Sequence, residues 1–497
     1  MQYATFEQAL AKHALLSPHS IALQGSTTAL TYAHLQLEVD QLRRELAFDS
    51  SCQPIAFAIS NHPAWVVLDI AILGCEVPSV PLPFFFTDTQ IYHAVLDAGV
   101  GTLMTDQPER FSRIFANLII RKMTLLIAGK RVMQIDLSVP PKRLPKGTVK
   151  ITYTSGTTGT PKGVCLCVES MLNVAESVVE ATRITGEANH LCILPLSTLL
   201  ENVAGVYAAL LAGAKVHLLS SKEVGLNGTQ LDAQQLHYAL SDTQANTAIF
   251  IPELLNALVS VIESGALPLP NLRFLAVGGA AVSSQLLSRA NKLGVPVYQG
   301  YGLSECASVV ALNTKSENQV GSVGKPLQHL EIKLADDGEI LVKGTHFLGY
   351  TGQADVARHE WLATGDIGTL DAQGYVYIQG RKKNMFITSF GRNVSPEWVE
   401  CALLNSPYIA QACVYGEAQP WNIALIVCKP GISEKLISES IAEINQQLPD
   451  YARIKQWVPV SPFSSANQQL TPNGRLKRQA IYKVHQAAIK HLYKELA

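Results

Sequence analysis

The sequence lacks an excess charge of either sign, and charged residues are scarce overall. Only 16% of its 497 residues are charged, and 39 Lys and Arg residues stand against 40 Asp and Glu residues, for a formal net charge of −1. Without a field of one sign, the chain has no general attraction for nucleic acid, and we predict no nucleic-acid partner. A hydrophobic content of 47% excludes a disordered chain, and the length predicts two or three domains.

Long apolar runs, a secretion signal and paired cysteines are also missing. No stretch reaches 18 uncharged apolar residues, since residues 65–73 contain Asp69 and residues 203–219 contain Lys215. The first residues carry neither the basic segment nor the apolar core of a signal peptide. The nine cysteines include no Cys-x2-Cys pair, so buried free thiols are favoured over a zinc site or a disulfide framework. These absences predict a cytoplasmic protein without a transmembrane segment.

The most informative segment is residues 153–164, with the sequence YTSGTTGTPKGV. It is not a Walker A loop, because Lys162 follows Pro161 and no Gly-x4-Gly-Lys-Ser/Thr frame fits. Its glycines can adopt positive φ, so that backbone N–H groups converge on one anion, and its hydroxyls and ammonium add further donors. We therefore predict a polyphosphate-binding loop rather than a surface turn. The candidate phosphate-binding residues are Thr154, Ser155, Gly156, Thr157, Thr158, Gly159 and Lys162.

Helical and strand patterns alternate along the first 300 residues, which predicts an α/β fold with doubly wound parallel sheets and sites at the carboxyl ends of the strands. From about residue 321 short strands and turns predict a small β-rich subdomain. A further unit with two helices and two strands follows. We predict a large N-terminal domain over residues 1–380 and a small, mobile α+β C-terminal domain over residues 381–497, with the charged segment 380–384 as the hinge.

Three further segments carry candidate ligand-binding residues. Residues 277–281 (VGGAA) end a predicted strand, and the small Gly279 and Ala280 allow a flat ring or a backbone to approach; a tight strand–helix turn is the alternative. Residues 299–305 (QGYGLSE) offer the ring of Tyr301 for stacking and the carboxylate of Glu305 as an oxygen ligand for Mg2+.

The third segment is residues 361–366 (WLATGD), in which Asp366 follows a glycine turn. An ionised aspartate can accept hydrogen bonds from both hydroxyls of a ribose, although an ordinary turn aspartate is an equal alternative. Arg381 follows a predicted strand over residues 375–379. It can bind ribose or phosphate, or pair on the surface.

Together these segments resemble the acyl-adenylate-forming superfamily, which includes acyl-CoA synthetases, the adenylation domains of peptide synthetases and firefly luciferase. The resemblance covers nearly the whole chain in the right order. Residues 154–163 match the phosphate loop, 277–281 the adenine-binding strand end, 301–305 the Tyr-Gly-x-Thr-Glu motif, 364–366 the ribose motif and 380–383 the hinge motif. Segments 380–384 and 391–397 look most like long-chain acyl-CoA synthetases. Residues 194–201 (LPLSTLLE), with Thr198, resemble the segment that lines their acyl pocket.

The resemblance implies a two-step reaction that uses ATP, Mg2+ and coenzyme A. A carboxylic acid, expected to be a fatty acid, attacks the α-phosphorus of ATP to give acyl-AMP and pyrophosphate, and the thiol of coenzyme A then displaces AMP. Lys162 and the loop hydroxyls would hold the β- and γ-phosphates, and Thr154 and Glu305 would ligate Mg2+. The implied nucleotide-binding residues are Gly279, Ala280, Tyr301 (stacked on adenine), Gly302 and Ser304, with Asp366 and Arg381 on the ribose. Lys383 occupies the hinge position.

The chain departs from the family at the end of the sequence. A Gly-Lys pair is usual there, and its lysine bridges the substrate carboxylate and the α-phosphate; here Gly474 is followed by Arg475. An arginine keeps the charge but presents a planar fork, so the exchange is not conservative, and Lys477 can substitute only if the loop shifts. The predicted catalytic residues are Arg475, Lys162 and Glu305. Two other functions stay open: loading of an acyl carrier protein's phosphopantetheine, and a non-catalytic nucleotide- or acyl-binding homologue.

Overall fold

The computed structural model describes residues 2–46, 53–154, 161–227, 230–344, 347–353, 361–464, 466–471 and 474–494. Its α-helices over these residues are α1 (Gln2–Leu16), α2 (Tyr32–Leu46), α3 (Pro63–Gly74), α4 (Asp88–Ala98), α5 (Pro108–Ile114), α6 (Val168–Thr182), α7 (Ala208–Leu211), α8 (Ala233–Asp242), α9 (Pro252–Glu263), α10 (Ser284–Lys292), α11 (Pro396–Leu403), α12 (Glu434–Gln447) and α13 (Arg478–Lys494). A π-helix spans Leu200–Tyr207, and a 3₁₀-helix spans Ser304–Cys306. None of the described helices has the length and apolar character needed to cross a membrane.

The strands form several sheets. They are β1 (Ile21–Gly25), β2 (Ala29–Thr31), β3 (Ile55–Ala58), β4 (Ser79–Pro81), β5 (Thr102–Thr105), β6 (Ile119–Ile127), β7 (Lys130–Leu137), β8 (Lys150–Thr154), β9 (Lys162–Leu166), β10 (Asn189–Leu191), β11 (Lys215–Leu218), β12 (Leu226–Asn227), β13 (Gln230–Leu231), β14 (Thr247–Phe250), β15 (Phe274–Val277), β16 (Val297–Tyr301), β17 (Ala311–Leu312), β18 (Lys325–Pro326), β19 (Glu331–Leu334), β20 (Glu339–Lys343), β21 (Gly349–Tyr350), β22 (Leu362–Leu370), β23 (Val376–Arg381), β24 (Phe386–Ile387), β25 (Asn393–Val394), β26 (Ile409–Tyr415), β27 (Asn422–Cys428) and β28 (Ile454–Pro459).

Two large sheets build the N-terminal part. One has the strand order β18-β17-β16-β15-β14-β10-β11-β1-β2, and the other has the order β21-β9-β8-β4-β3-β5-β7-β6. Their central pairs, such as β14–β15–β16 and β3–β4, are parallel. A four-stranded antiparallel sheet (β19-β20-β22-β23) follows, and a three-stranded sheet (β26-β27-β28) carries the small C-terminal domain. The predicted α/β fold, with a large N-terminal and a smaller C-terminal domain, is confirmed.

Helix α3 explains how the two large sheets pack together. Its residues from Pro63 to Leu73 are buried on every side, as expected for a helix that is apolar all round. It touches β1 of the first sheet and β4 and β6 of the second, so it lies between them. The core therefore contains a helix whose single acidic residue, Asp69, needs a buried partner.

Local signals fix several elements at their predicted places. Apolar residues at helical spacing predict helices over residues 32–46 and 88–98, and both helices have those bounds in the structure. In α2 the buried residues Tyr32, Leu35, Val39 and Leu42 repeat at helical spacing. In α4 a capping box between Thr87 and Gln90 fixes the start, and Gly99 at φ 68° ends the helix.

Other predicted elements differ from the structure. The apolar run over residues 191–196 predicts a strand, but β10 ends at Leu191, and the Leu194 N–H donates to the Glu201 carboxylate instead of to a neighbouring strand. The helix predicted over 202–211 begins as the π-helix. The hairpin β6–β7 was not predicted, since its turn, Ala128-Gly129, takes positive φ at both positions without the usual Asn-Gly signal.

The cysteines follow the prediction of free thiols. The eight cysteines within the described residues form no disulfide, and four of them (Cys165, Cys192, Cys306 and Cys413) are buried. Burial raises the pKa of the Cys165 thiol to about 12. These cysteines therefore act as small apolar side chains in the core rather than as nucleophiles.

Candidate active site

The carboxyl ends of β15 and β16 form the floor of the site. Gly279 follows β15 and takes φ 81°, with Ala280 exposed beside it. Gly302 follows β16 and passes so close to the backbone at Ser308 that a Cβ on residue 302 would lie 1.6 Å from the Ser308 carbonyl oxygen. No side chain fits at position 302, so this crossing fixes the backbone between Tyr301 and the 3₁₀-helix that carries Ser304 and Glu305.

Tyr301, Asp366 and Arg381 form one hydrogen-bonded group. The Tyr301 hydroxyl donates to Asp366 Oδ2 at 2.6 Å, and Arg381 Nε lies 2.9 Å from Asp366 Oδ1. Asp366 and Arg381 are opposite each other on β22 and β23, which makes the ion pair a cross-strand contact. Burial raises the pKa of Asp366, which is 3% exposed, although the Arg381 cation opposes the shift.

Arg475 enters the site from the C-terminal domain. Its Nη2 donates a hydrogen bond of 3.1 Å to the Gly279 carbonyl, across 196 residues of sequence. Arg475 as a residue is exposed to solvent. Nevertheless, the surrounding protein displaces enough water to lower its pKa, and the nearby Arg381 cation adds to this effect. The structure thus brings Arg475 to the end of β15, beside Asp366 and Arg381.

Four cations converge on the same region. The pKa of Lys383 is lowered by burial and then by the positive charges of Arg381, Arg475 and Lys162, while Asp366 raises it. A like charge lowers a lysine pKa only when the two groups are close. Such an accumulation of positive charge is costly by itself and is relieved by a bound anion.

Only the two ends of the predicted phosphate loop lie within the described residues. Ser155, Gly156, Thr157, Thr158 and Gly159 lie outside the described residues. The two ends of the segment are described: Thr154 ends β8, Lys162 begins β9, and the two residues face each other in the antiparallel pair. Both ends of the segment therefore lie at the same end of the β8–β9 pair.

Tyr350 joins two of the predicted residues and was missed in the sequence. Its hydroxyl donates to Glu305 Oε1 at 2.8 Å, and its ring centroid lies 5.7 Å from Lys162 Nζ. It belongs to the two-residue strand β21, which pairs with β9. A strand of two residues has no periodicity from which the position of Tyr350 could be predicted.

Strand β8, which leads to Thr154, is anchored by a buried charge. Lys150 Nζ lies 2.8 Å from Asp69 Oδ1, 2.6 Å from Asn202 Oδ1 and 3.0 Å from the Tyr207 hydroxyl. Lys150 and Asp69 have side chains that are 1% exposed. Since Asn202 and Tyr207 come from the π-helix, this network ties β8 to α3 and to the π-helix. No sequence signal pointed to it.

The predicted acyl segment turns back on itself. The Thr198 hydroxyl donates to the Pro195 carbonyl at 2.6 Å, so the half-buried Thr198 is already satisfied within the turn. Glu201 is buried and binds His190 Nε2 at 2.9 Å and the Leu194 N–H at 2.9 Å. His190, Cys192 and Glu201 have ligand-type atoms within 4.8 Å of one another, but hydrogen bonds occupy them and give no independent sign of a metal.

Comparisons with known proteins match the chain to two family models and to several ligases. The family model for AMP-binding enzymes matches residues 10–350, and the model for the AMP-binding enzyme C-terminal domain matches residues 383–497. The chain is similar to feruloyl-CoA synthase of Amycolatopsis sp, with 29% identity over 433 residues, 82% of this chain and 85% of that protein. It is similar to 2-succinylbenzoate–CoA ligase of Oceanobacillus iheyensis, with 30% identity over 498 residues, 93% of this chain and 98% of that protein.

Three further comparisons concern a fatty-acid ligase and two solved structures. Long-chain-fatty-acid–CoA ligase FadD15 of Mycobacterium bovis is 24% identical over 528 residues, 86% of each chain. The solved structure of the anthranilate CoA ligase AuaEII with anthranoyl-AMP has a TM-score of 0.82 at 19% identity, covering 98% of both chains. The structure of O-succinylbenzoate coenzyme A synthetase from Bacillus subtilis with ATP and magnesium has a TM-score of 0.74 at 23% identity, covering 95% and 98%.

Proposed function

Because the chain belongs to the AMP-binding enzyme family, we propose that it activates a carboxylic acid with ATP and transfers the acyl group to coenzyme A. In the first step a carboxylate oxygen bonds to the α-phosphorus and pyrophosphate leaves. In the second step a thiolate sulfur bonds to the acyl carbon and AMP leaves. The observation that supports this most is the convergence of Arg475, Arg381 and Asp366 at the carboxyl ends of β15 and β16.

We propose that the nucleoside binds along the ends of β15, β16 and β22. Gly279 and Ala280 leave room for the adenine, Gly302 contributes its backbone beside Tyr301, and the Tyr301 ring stacks on the adenine. Asp366 accepts hydrogen bonds from the ribose hydroxyls. Its two oxygens already bind Tyr301 and Arg381, but a carboxylate has four acceptor positions, so two remain for the ribose.

The phosphates would lie among the cations. We propose that Lys162 and the loop hydroxyls hold the β- and γ-phosphates, and that Thr154 and Glu305 ligate Mg2+. A hydroxyl and a carboxylate fit this hard cation by donor chemistry. Bound there, the ion would neutralise phosphate charge. The Tyr350 hydroxyl on Glu305 would orient that carboxylate, and the Tyr350 ring would keep the Lys162 ammonium near the loop.

Arg475 would assist the first step. The reaction brings one anion to a polyanion, so neutralising and aligning the two groups is the main task. A guanidinium can donate to the carboxylate and to an α-phosphate oxygen with two N–H groups of one fork. Arg475 can therefore replace the usual lysine if the substrates fit its planar geometry.

We further propose that Lys383 is the hinge about which residues 381–497 rotate relative to residues 1–380 between the two steps. Strand β23 ends at Arg381, next to this boundary. A cytoplasmic location would supply both ATP and coenzyme A.

The acid is proposed to be apolar. The segment proposed to line the acyl pocket, residues 194–201, has Glu201 as its one charged residue, and that carboxylate is buried and bonded to His190 and to the Leu194 N–H. The other side chains of the segment are apolar or carry a hydroxyl, which favours an alkyl chain or an aromatic ring over a second carboxylate. A fatty acid stays the prediction, while relatives named for ferulate and anthranilate make an aromatic acid the specific alternative.

Acid-dependent exchange between ATP and labelled pyrophosphate tests the proposal directly. A panel of fatty acids of increasing length and of aromatic acids should give exchange with at least one member, and added coenzyme A should then yield its thioester. Exchange with transfer only to a carrier protein would favour the carrier-loading alternative. ATP binding without exchange for any acid would contradict the enzyme proposal and favour a non-catalytic homologue.

A further inference from the structure

The short loop that carries Arg475 is closed by hydrogen bonds of its own. The Thr471 N–H donates to the Arg475 carbonyl at 2.7 Å, and the Arg475 N–H donates to Thr471 Oγ1 at 3.0 Å. The Lys477 N–H donates to the Gln469 carbonyl at 2.8 Å. These bonds close a small hairpin, and its Leu470 and Leu476 pack against the apolar core of the C-terminal domain. Apolar packing holds the hairpin on the domain without the directional constraint of a hydrogen-bonded ion pair.

Arg478, which begins α13, connects this hairpin to the core of the C-terminal domain. Its guanidinium forms a bidentate pair with Glu400, with Nη1–Oε1 at 2.6 Å and Nη2–Oε2 at 2.5 Å. Glu400 lies on α11 and is 5% exposed. The Val414 N–H of β26 also donates to Glu400 Oε1 at 2.7 Å, and the Tyr415 hydroxyl donates to the Arg478 carbonyl at 2.9 Å. The start of α13 is thus fixed to both α11 and β26.

The same cluster reaches the hinge. Glu397, on α11, lies 3.5 Å from Arg478 Nη2 and accepts a hydrogen bond of 2.5 Å from Asn384 Nδ2. Asn384 follows Lys383 in the chain. One polar cluster therefore connects the hinge segment to the residue that begins α13, three positions after Arg475.

We infer that the Arg478–Glu400 pair is a positioning device that orients the Arg475 loop, and that it acts on the adenylation step through Arg475. A forked guanidinium on a buried carboxylate fixes direction as well as distance, whereas a lysine at position 478 would fix only one contact. The inference rests on the proposed function, because it assigns the pair to one of the two proposed steps.

The test separates the two steps in Arg478→Lys. We expect acid-dependent pyrophosphate exchange to fall by about tenfold or more, because Arg475 loses its alignment. Transfer to coenzyme A from a synthetic acyl-adenylate should stay within about twofold of wild type. The exposed Arg453, which pairs with Asp450 in the same domain, provides the matched control, and Arg453→Lys should change neither step. An equal loss in both steps would contradict the inference.

A double-mutant cycle distinguishes a positioning role of Arg478 from a merely structural one. If Arg478 acts through Arg475, Arg478→Lys should have no further effect on exchange in an Arg475→Ala background. An undiminished effect in that background would overturn the inference. The double variant Glu400→Gln with Arg478→Met, which leaves no unpaired buried charge and keeps an acceptor for the Val414 N–H, guards against misfolding and should also lose exchange selectively.

Hydrogen exchange gives a readout that does not need activity. In Arg478→Lys the amides of Thr471 and Lys477 should exchange about tenfold faster, whereas those of α12 should not change. Unchanged hairpin amides would refute the positioning role even if wild type shows no pyrophosphate exchange. Because this measurement needs no activity, the inference can fail while the proposed function holds, and the proposed function can fail while the inference holds.

Discussion

The hydroxyl of Tyr350 donates a 2.8 Å hydrogen bond to the Glu305 carboxylate, and the same ring lies 5.7 Å from the ammonium of Lys162. One side chain thus contacts both the residue proposed to bind Mg2+ and the residue proposed to bind phosphate. The two contacts use different parts of tyrosine, so substitution can separate them.

For Tyr350 we predict two distinct defects. Tyr350→Phe removes the hydrogen bond but keeps the ring, and it should raise the Mg2+ concentration needed for half-maximal binding of a non-hydrolysable ATP analogue by about fivefold, or about 1 kcal/mol. Tyr350→Leu should also weaken analogue binding at saturating Mg2+, because the cation–π contact is lost. Calorimetric titration measures both. Tyr377→Phe, which loses a hydroxyl contact with Asp371 at the surface, should behave like wild type.

For Arg475 we predict a loss confined to the first step. Arg475→Ala should lower acid-dependent pyrophosphate exchange by about 100-fold, the scale of removing one transition-state donor, while ATP still binds. Arg475→Lys should raise exchange above wild type if the arginine acts as a weaker lysine. Lys477→Ala is the control, and a severe loss there with normal exchange in Arg475→Ala would move the role to Lys477.

For Asp366 we predict that stability and binding respond in opposite directions. Burial raises its pKa, so the native state holds this proton more tightly than the unfolded chain, and the contribution of Asp366 to stability falls as pH rises above about 4. Asp366→Asn has no such proton and should gain stability relative to wild type over this range, while losing affinity for ATP. Urea unfolding at several pH values measures the first effect.

The exposed Asp337 offers the opposite sign as a control. A hydrogen bond from Lys382 lowers the pKa of Asp337, so its contribution to stability is present above its unfolded pKa and is lost as pH falls. Asp337→Asn should therefore lose stability relative to wild type as pH rises. Parallel pH profiles for the two variants would contradict the assignment for Asp366.

For the buried Lys150 network we predict a large effect on folding. Lys150→Met leaves Asp69 charged and unpaired in the core, and the free energy of unfolding should fall by about 3–5 kcal/mol. Lys150→Met combined with Asp69→Leu should be less damaging than Lys150→Met alone, because no charge is left buried. Urea denaturation measures both. Lys130→Met breaks a more exposed pair with Asp106 and should cost about 1 kcal/mol or less.

Much of the fold could be predicted because its signals are local. Helices α2 and α4 have apolar periodicity and, for α4, capping residues in consecutive sequence, so their bounds needed no tertiary information. The π-helix could not be predicted. Its irregular turn buries Glu201, Asn202 and Tyr207 against partners on β10, β8 and α3, and such contacts leave no periodic pattern.

The sequence by itself determined the candidate site residues and their order, because glycines, hydroxyls and charges at close spacing already restrict the chemistry. Only the tertiary structure decided which of them meet. In the folded chain Tyr301 donates a hydrogen bond to Asp366, Tyr350 donates one to Glu305, and Arg475 donates one to the Gly279 carbonyl, 196 residues away in the sequence. The physical reason is that each contact depends on strand register and domain packing, which are set by burial throughout the chain and not by the residues beside the site.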